Sequence, residues 1–171
     1  MTGANVIALC TSRQRGQQKT PVPVIELVEN HGIVGDAHAG PGLRQVSLQA
    51  AENIGAMQDL GLDLGGRGCV ENITTEGIDL ASLPIGSMLA VGDAILQITK
   101  IGKECHTRCA LHYLAEGCLL PAGRVFAVVV KGGTVRAADS VELLPSHYPA
   151  PSAQPVVHIT EIRNEYYTAH V

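Results

Sequence analysis

Aromatic side chains are scarce in this sequence, which contains no tryptophan, one phenylalanine and four tyrosines. Charged residues are also few, at 16% of the 171 positions. The apolar content therefore comes mostly from valine, isoleucine, leucine and alanine, and the chain contains 19 glycines. Short aliphatic runs separated by glycine are typical of many short β-strands joined by tight turns.

Basic residues are few and long apolar runs are missing, and each absence excludes a class of partner. The 12 lysines and arginines form no basic stripe, and the net charge is −4, which argues against a nucleic-acid partner. No apolar run approaches the roughly 20 residues that span a bilayer, which argues against a membrane protein. The N-terminus lacks the charged-then-apolar pattern of a signal peptide, so we expect a cytoplasmic protein.

The five cysteines are odd in number and unevenly spaced. In a cytoplasmic chain this favours reduced thiols with chemical or packing roles over a disulfide framework. Cys10 and Cys69 lie in apolar, strand-like sequence. We therefore expect their replacement by serine to be close to silent.

The distribution of apolar residues predicts a mainly β fold with a few short helices. Strand candidates are residues 5–10, 22–28, 44–48, 69–74, 87–91, 94–101, 125–130 and 134–144, and helix candidates are 49–60 and 109–116. Gly132 and Gly133 are predicted to form a hairpin turn between the last two strands. So many short strands favour a closed or nearly closed β-barrel, because closure removes unpaired edges. Residues 1–144 are assigned to one barrel domain, and residues 145–171 to a proline-rich linker followed by an edge strand or a partner-packing tail.

The densest cluster of reactive side chains is residues 103–109, and three interpretations compete for it. In the first, Cys105 is a nucleophile or soft-metal ligand whose thiolate is favoured by Lys103, Arg108 and a helix N-terminus. In the second, zinc is bound by Cys105, His106, Cys109 and His112. In the third, Cys109 and Cys118 are small buried residues and the histidines have structural roles.

Two other segments carry polar groups suited to a ligand. Residues 35–40 combine small residues with Asp36 and His38, and Arg44 follows, whose guanidinium can contact a phosphate with two hydrogen bonds. Residues 71–77 place Asn72, Thr74 and Thr75 along a strand, where they can bind a phosphate or a pterin edge. The alternative for both segments is local hydrogen bonding to the backbone of a turn or strand end.

Taken in order, these segments closely resemble the molybdenum-cofactor sulfurase C-terminal (MOSC) family. The resemblance covers about residues 5–144 and rests on Gly16 and Lys19, HGIVGDAHAG at 31–40, RQVSL at 44–48, ENITTEGI at 71–78, LPIG at 83–86, IGKECH at 101–106 and VKGG at 130–133. The chain departs from the family pattern at residues 121–125, where an Arg-Glu pair usually follows the proline.

The resemblance implies a barrel of the MOSC or pyruvate-kinase type that binds the molybdenum cofactor (molybdopterin) or carries sulfur for it as a persulfide. Cys105 would be the catalytic residue and, where metal is bound, the molybdenum ligand. The cofactor-binding residues would be Asp36, His38, Arg44, Asn72, Thr74, Thr75, Lys103 and His106. An alternative is a small molybdoenzyme that reduces N-hydroxylated compounds with an external electron donor. A zinc-binding or purely structural module is a weaker alternative. The implied partners are a cysteine desulfurase or a molybdoenzyme, with a homodimer as a further option. Pyridoxal phosphate binding is an association of the family alone.

Overall fold

The computed structural model describes residues 3–59, 61, 69–102 and 123–145. This part of the chain contains eleven strands, one α-helix and one turn of 3-10 helix. The strands are β1 Ala4–Thr11, β2 Thr20–Pro21, β3 Val24–Val28, β4 Gly32–Ile33, β5 Val46–Ala50, β6 Ile73–Glu76, β7 Met88–Val91, β8 Ala94–Ile101, β9 Val125–Lys131, β10 Gly133–Arg136 and β11 Ser140–Leu143. The helix, α1, spans Ala51–Asp59, and the 3-10 turn spans Leu80–Ser82.

Seven strands form a closed barrel in the order β11-β7-β8-β9-β5-β6-β1, and β1 returns to pair with β11. The closing ladder places Ala4 opposite Val141 and Asn5 opposite Ser140. Closure leaves no unpaired edge among these seven strands, which is the advantage of a barrel for short strands. The predicted mainly β, closed barrel is therefore confirmed.

A second sheet of three strands, in the order β10-β3-β4, packs on the barrel and shares its core. In β3 the burial alternates, with Ile25 and Leu27 buried and their neighbours exposed, as expected for a sheet with one face on the core. These two side chains join the same apolar cluster as Leu48, Leu96 and Val129 of the barrel. One continuous core therefore holds both sheets.

The helix predicted at 49–60 is confirmed over Ala51–Asp59, whereas Gln49 and Ala50 belong to β5, which α1 follows without a break. Strands β5 and β6 are parallel neighbours, so the chain must cross over between them. α1 lies within this crossover and buries Ile54 and Met57.

The predicted hairpin at Gly132 and Gly133 is wrong. β10 pairs with β3 rather than with β9, and residues 134–144 divide into β10 and β11, of which β11 pairs with β7 and β1. A Cβ at Gly132 would lie 2.7 Å from the Leu27 carbonyl oxygen, and one at Gly133 would lie 2.6 Å from the Asp93 carbonyl carbon. The two glycines permit a close approach of backbones, and the chain passes there from one sheet to the other.

The cysteine predictions for residues 10 and 69 are also corrected. Cys10 and Cys69 form a disulfide across a sequence separation of 59, with 5.6 Å between their Cα atoms. Cys69 lies in a turn before β6, because that strand begins at Ile73 and not at residue 69. A cross-link between distant segments cannot be read from the local apolar pattern that predicted silent thiols.

Other predictions fall outside the described residues. These are the helix at 109–116, the zinc ligands at residues 105–112 and most of the segment 145–171. In the described part of the chain, no group of three or more histidine, cysteine, aspartate or glutamate side chains is arranged to hold a metal ion. None of its helices has the length and apolar character needed to span a membrane.

Candidate functional site

A cavity of about 560 Å³ opens where the beginnings of β5, β6 and β9 meet the loop between β1 and β2. We call it the Asn72 pocket, after the residue that joins its walls. Within the described residues its lining consists of Gly16, Gln17, Gln18, Lys19, His38, Arg44, Ser47, Cys69, Val70, Glu71, Asn72, Arg124 and Phe126. This volume falls in the range of small-molecule and cofactor sites, roughly 300–1,000 Å³.

Asn72 connects three segments through its side chain. Its Oδ1 accepts hydrogen bonds from Ser47 N at 3.1 Å and from Ser47 Oγ at 3.0 Å. Its Nδ2 donates to the Cys10 carbonyl at 3.0 Å and to Asp36 Oδ2 at 3.2 Å. Asn72 is buried, so these bonds satisfy an amide group that would otherwise be costly to bury. The side chain thus fastens β1, β5 and the Asp36 loop to one another.

Asp36 lies behind the pocket wall and organises the loop that carries His38. It accepts hydrogen bonds from Ser12 N and His38 N, both at 2.9 Å, and His38 Nδ1 lies 3.2 Å from Asp36 Oδ1. Burial acts to raise the pKa of Asp36, but the two backbone donors, the charge of Lys19 and the His38 hydrogen bond outweigh it. The pKa is therefore lowered from its ordinary value. Asp36 is an ionised anchor that holds the His38 ring at the pocket.

Glu71 and Arg124 form an ion pair in the pocket wall, between Oε1 and Nε. The Glu71 side chain is only 3% exposed, whereas Arg124 is partly accessible. Burial raises the pKa of Glu71, and the charge of Arg124 and hydrogen bonding to Ser47 offset this only in part. A carboxyl group at the pocket therefore holds its proton to a higher pH than an exposed glutamate does.

Positive charge is concentrated around the opening. Among the residues that the structure describes, Lys19, Arg44 and Arg124 line the pocket, against one lining carboxylate, Glu71. The Arg44 guanidinium carbon lies 5.1 Å from the centre of the Phe126 ring, and this cation–π contact orients the side chain. The lining is therefore cationic in a chain whose net charge is −4. Such a lining is suited to an anionic small molecule.

The structure brings together four of the residues predicted for the site. Arg44, His38 and Asn72 line the pocket, and Asp36 hydrogen-bonds to two of them. Thr74 and Thr75 lie within β6, where they are buried, and neither belongs to the lining. Cys105, Lys103 and His106 lie outside the described residues, so their assignments stay predictions.

Sequence reasoning gave no site role to several residues of this pocket, among them Ser47, Cys69, Glu71, Arg124 and Phe126. Arg124 lies in the segment that departs from the family pattern and received no role, and Ser47 and Phe126 were taken only as strand residues. Ser47 and Phe126 are cross-strand partners in the β5–β9 ladder. Only that pairing, which joins residues far apart in sequence, places them side by side. The one available signal for Arg124 was a charged residue directly before the most apolar strand of the chain.

Comparison with known proteins identifies the fold. No protein-family model matches the sequence, and no curated protein matches it. Solved structures do match. The YuaD protein from Bacillus subtilis is 16% identical with a TM-score of 0.59, over 83% of this chain and 96% of that one. YiiM from Geobacillus stearothermophilus is 15% identical, with a TM-score of 0.58 over 97% of this chain and 85% of that one. YiiM from Escherichia coli is 18% identical, with a TM-score of 0.58 over 95% and 76% of the two chains. At these identities the likeness concerns architecture, and this chain shares the fold of the YuaD and YiiM structures.

Proposed function

We propose that this chain is a MOSC-type domain that binds the molybdenum cofactor, or carries sulfur for it, with Cys105 as the reactive sulfur. The support is the agreement between an ordered set of sequence motifs and one pocket. Asn72 lies 36 positions after Asp36, yet the segment that carries Asp36 and Arg44 meets the segment that carries Asn72 at the Asn72 pocket. We further propose that the domain works in the cytoplasm with a cysteine desulfurase or a molybdoenzyme as its partner.

The observation that carries this proposal is the cationic lining of the pocket. Molybdopterin bears a phosphate, and Lys19 and Arg44 would hold that group by charge-assisted hydrogen bonds. His38, which lines the pocket, would contact its polar pterin edge. The molybdenum centre, when bound, supplies two-electron redox chemistry. Volume and charge both fit such a group, whereas an electroneutral, apolar pocket would not.

The position of Cys105 in the sequence is consistent with this site. Gly102 N donates a hydrogen bond to the Arg124 carbonyl at 2.7 Å, so described residues on either side of segment 103–122 lie next to each other. Arg124 itself lines the pocket. In the sequence, Cys105 follows Gly102 by three positions. A thiolate at the pocket would be a soft ligand for molybdenum and a nucleophile toward sulfane sulfur.

Metal and cofactor analysis of the purified protein tests the proposal. We expect molybdenum with a pterin that fluoresces after oxidation, or a persulfide on Cys105 by mass spectrometry. Cys105→Ser should abolish whichever is found without changing the unfolding midpoint. Arg44→Gln should lower cofactor content severalfold. Arg136→Gln is the matched control, because Arg136 is an exposed arginine of β10 outside the pocket lining.

Three results would contradict the proposal. The first is zinc as the sole bound group, with neither pterin nor persulfide. The second is a Cys105→Ser variant that keeps its cofactor or sulfur in full. The third is equal loss of cofactor in Arg44→Gln and Arg136→Gln, since this would mean that the lining charge has no specific role.

A second candidate, the reduction of N-hydroxylated compounds, is favoured by Glu71. Reducing an N–O bond to an amine and water consumes two protons, whereas carrying a persulfide consumes none. A pocket carboxyl whose pKa is raised by burial is a suitable proton donor. Under this candidate, Glu71→Gln lowers turnover of a hydroxylamine substrate and leaves molybdenum content unchanged. An equal loss of both would indicate only a binding role.

A further inference from the structure

The Cys10–Cys69 disulfide lies in the wall of the Asn72 pocket. Cys69 belongs to the lining, and Cys10 lies behind it near the end of β1. Cys69 is 8% exposed and Cys10 is 0% exposed. Of the two residues, Cys69 is therefore the one that a molecule in the pocket can approach.

Four consecutive residues, 69–72, form this wall, and the structure fastens the wall at both ends. At one end the disulfide joins Cys69 to β1. At the other end, Cys10 N donates to the Asn72 carbonyl at 2.8 Å, and the Asn72 side chain bonds to Ser47 and to the Cys10 carbonyl. Glu71 lies between these two points of attachment. The wall that carries the pocket carboxylate is therefore held partly by a bond that a thiol can break.

We propose that Cys10–Cys69 is a thiol–disulfide exchange site that opens into the Asn72 pocket, and that its reduction by a dithiol loosens the pocket wall. The proposal goes beyond cofactor binding and does not depend on which ligand the pocket binds. In the cytoplasmic location proposed above, such a cross-link would be transient, because disulfides in reducing compartments are usually transient and either catalytic or redox-sensing.

The exchange proceeds in two balanced steps. A thiolate of the dithiol attacks the Cys69 sulfur, a mixed disulfide forms, and Cys10 leaves as a thiolate that takes up a proton. The second thiol of the dithiol then attacks the other sulfur of the same dithiol in the mixed disulfide and releases Cys69. The protein disulfide gains two electrons and two protons, and the dithiol is oxidised to a disulfide.

Reduction removes the covalent attachment and leaves the wall held by the hydrogen bonds at Asn72 and by the Glu71–Arg124 ion pair. Three backbone amides report on those bonds. Cys10 N–H donates to the Asn72 carbonyl, Ser47 N–H donates to Asn72 Oδ1, and Asn72 N–H donates to Ser47 Oγ. If the wall loosens, these amides open more often than amides elsewhere in the barrel.

The first experiment treats the oxidised protein with dithiothreitol under native conditions and follows alkylation by mass spectrometry. We expect reduction without unfolding, with Cys69 alkylated at least about tenfold faster than Cys10, because only the former faces the pocket. A variant with serine at the other three cysteines excludes exchange with thiols of the same chain. A reduction rate that tracks global unfolding as urea is added would overturn the proposal, as would faster alkylation of Cys10.

The second experiment compares amide hydrogen exchange of the oxidised and reduced proteins by nuclear magnetic resonance. On reduction, the exchange rates of the Cys10, Ser47 and Asn72 amides are expected to rise by a factor at least about tenfold larger than that for the amides in β7 and β8. Those two strands pair with neither β1 nor β6. An equal rise in exchange rate at all these amides would mean that the cross-link only stabilises the whole fold. No rise would mean that the cross-link does not stabilise the pocket wall. Either result would refute the proposed loosening of the wall.

Discussion

Removing the Asn72 side chain tests whether this residue holds the pocket together. Asn72→Ala eliminates four buried hydrogen bonds, two from Ser47 and one each to the Cys10 carbonyl and Asp36. A buried hydrogen bond contributes about 1 kcal/mol net, and a buried donor left without a partner costs about 1–3 kcal/mol. The Ser47 amide is such a donor. We therefore expect a loss of roughly 3–5 kcal/mol in the free energy of unfolding.

Urea denaturation followed by circular dichroism measures this loss. For a chain of this size 1 kcal/mol shifts the thermal midpoint by about 2–4 °C, so the midpoint should fall by at least about 6 °C. A loss below about 1 kcal/mol would refute the reasoning, because it would mean that the partner groups find replacements at no cost.

The isosteric variant Asn72→Asp keeps the shape of the side chain at position 72 and changes its charge. Its Oδ1 keeps both contacts with Ser47, but the donor that faced Asp36 becomes an acceptor, so two carboxylates lie in contact. Their repulsion raises the pKa of one of them in the folded state, and the folded variant then binds more protons than the unfolded chain. Its stability therefore rises as the pH falls through that raised pKa. The free energy of unfolding of the variant should therefore approach that of the wild type between pH 7 and pH 4. A difference that does not shrink over this range would contradict this geometry.

Further predictions concern the cross-link, the sheet junction and the pH dependence. Cys69→Ala removes the cross-link that closes a loop across 59 residues, so loop entropy predicts a loss of about 4 kcal/mol in the free energy of unfolding. Reductant should lower the wild-type midpoint similarly and leave the variant unchanged. Gly132→Ala should cost about 1–3 kcal/mol, since the new Cβ meets the Leu27 backbone, whereas Gly3→Ala, with nothing within 4 Å, should be silent by denaturation. Asp36→Asn should cost about 1–3 kcal/mol at pH 7. This deficit should narrow below pH 3.8, where the wild type loses the stabilisation that its depressed pKa provides. A deficit that is constant with pH would show that the Asp36 charge is irrelevant.

Most strands could be predicted from the sequence because each carries its signal locally, but the two-residue strands β2 and β4 were not predicted. β9 is a run of apolar residues that ends at Lys131, β3 alternates buried and exposed positions, and α1 has apolar residues at helical spacing before Gly61. The number of strands favoured a closed barrel, but periodicity alone does not distinguish a barrel from a sandwich. These features depend on side chains within a few positions of one another.

The failures share a different origin. The glycine pair at 132–133 resembles a hairpin turn, but its role is to let the backbones at Leu27 and Asp93 approach. Cys10 and Cys69 resemble core residues, but they form a cross-link. In each case the deciding partner lies about 40 or more positions away, so no local pattern could indicate it.

The site was predicted in part, for the same reason. Asp36, His38, Arg44 and Asn72 stand out as polar residues in glycine-rich or strand-end segments, and they meet around one pocket. The pairing of Glu71 with Arg124 was missed because it depends on how the start of β9 faces the turn before β6.

The sequence by itself determined which segments are strands, that they are many and short, and which polar residues are candidates for a ligand. These properties follow from local periodicity and from the chemistry of single side chains. Only the tertiary structure decided which strands pair, which cysteines join and which charges surround a common cavity. Each of these features joins residues that are distant in the chain. Bringing such residues together costs chain entropy, and only the contacts of the whole fold offset that cost.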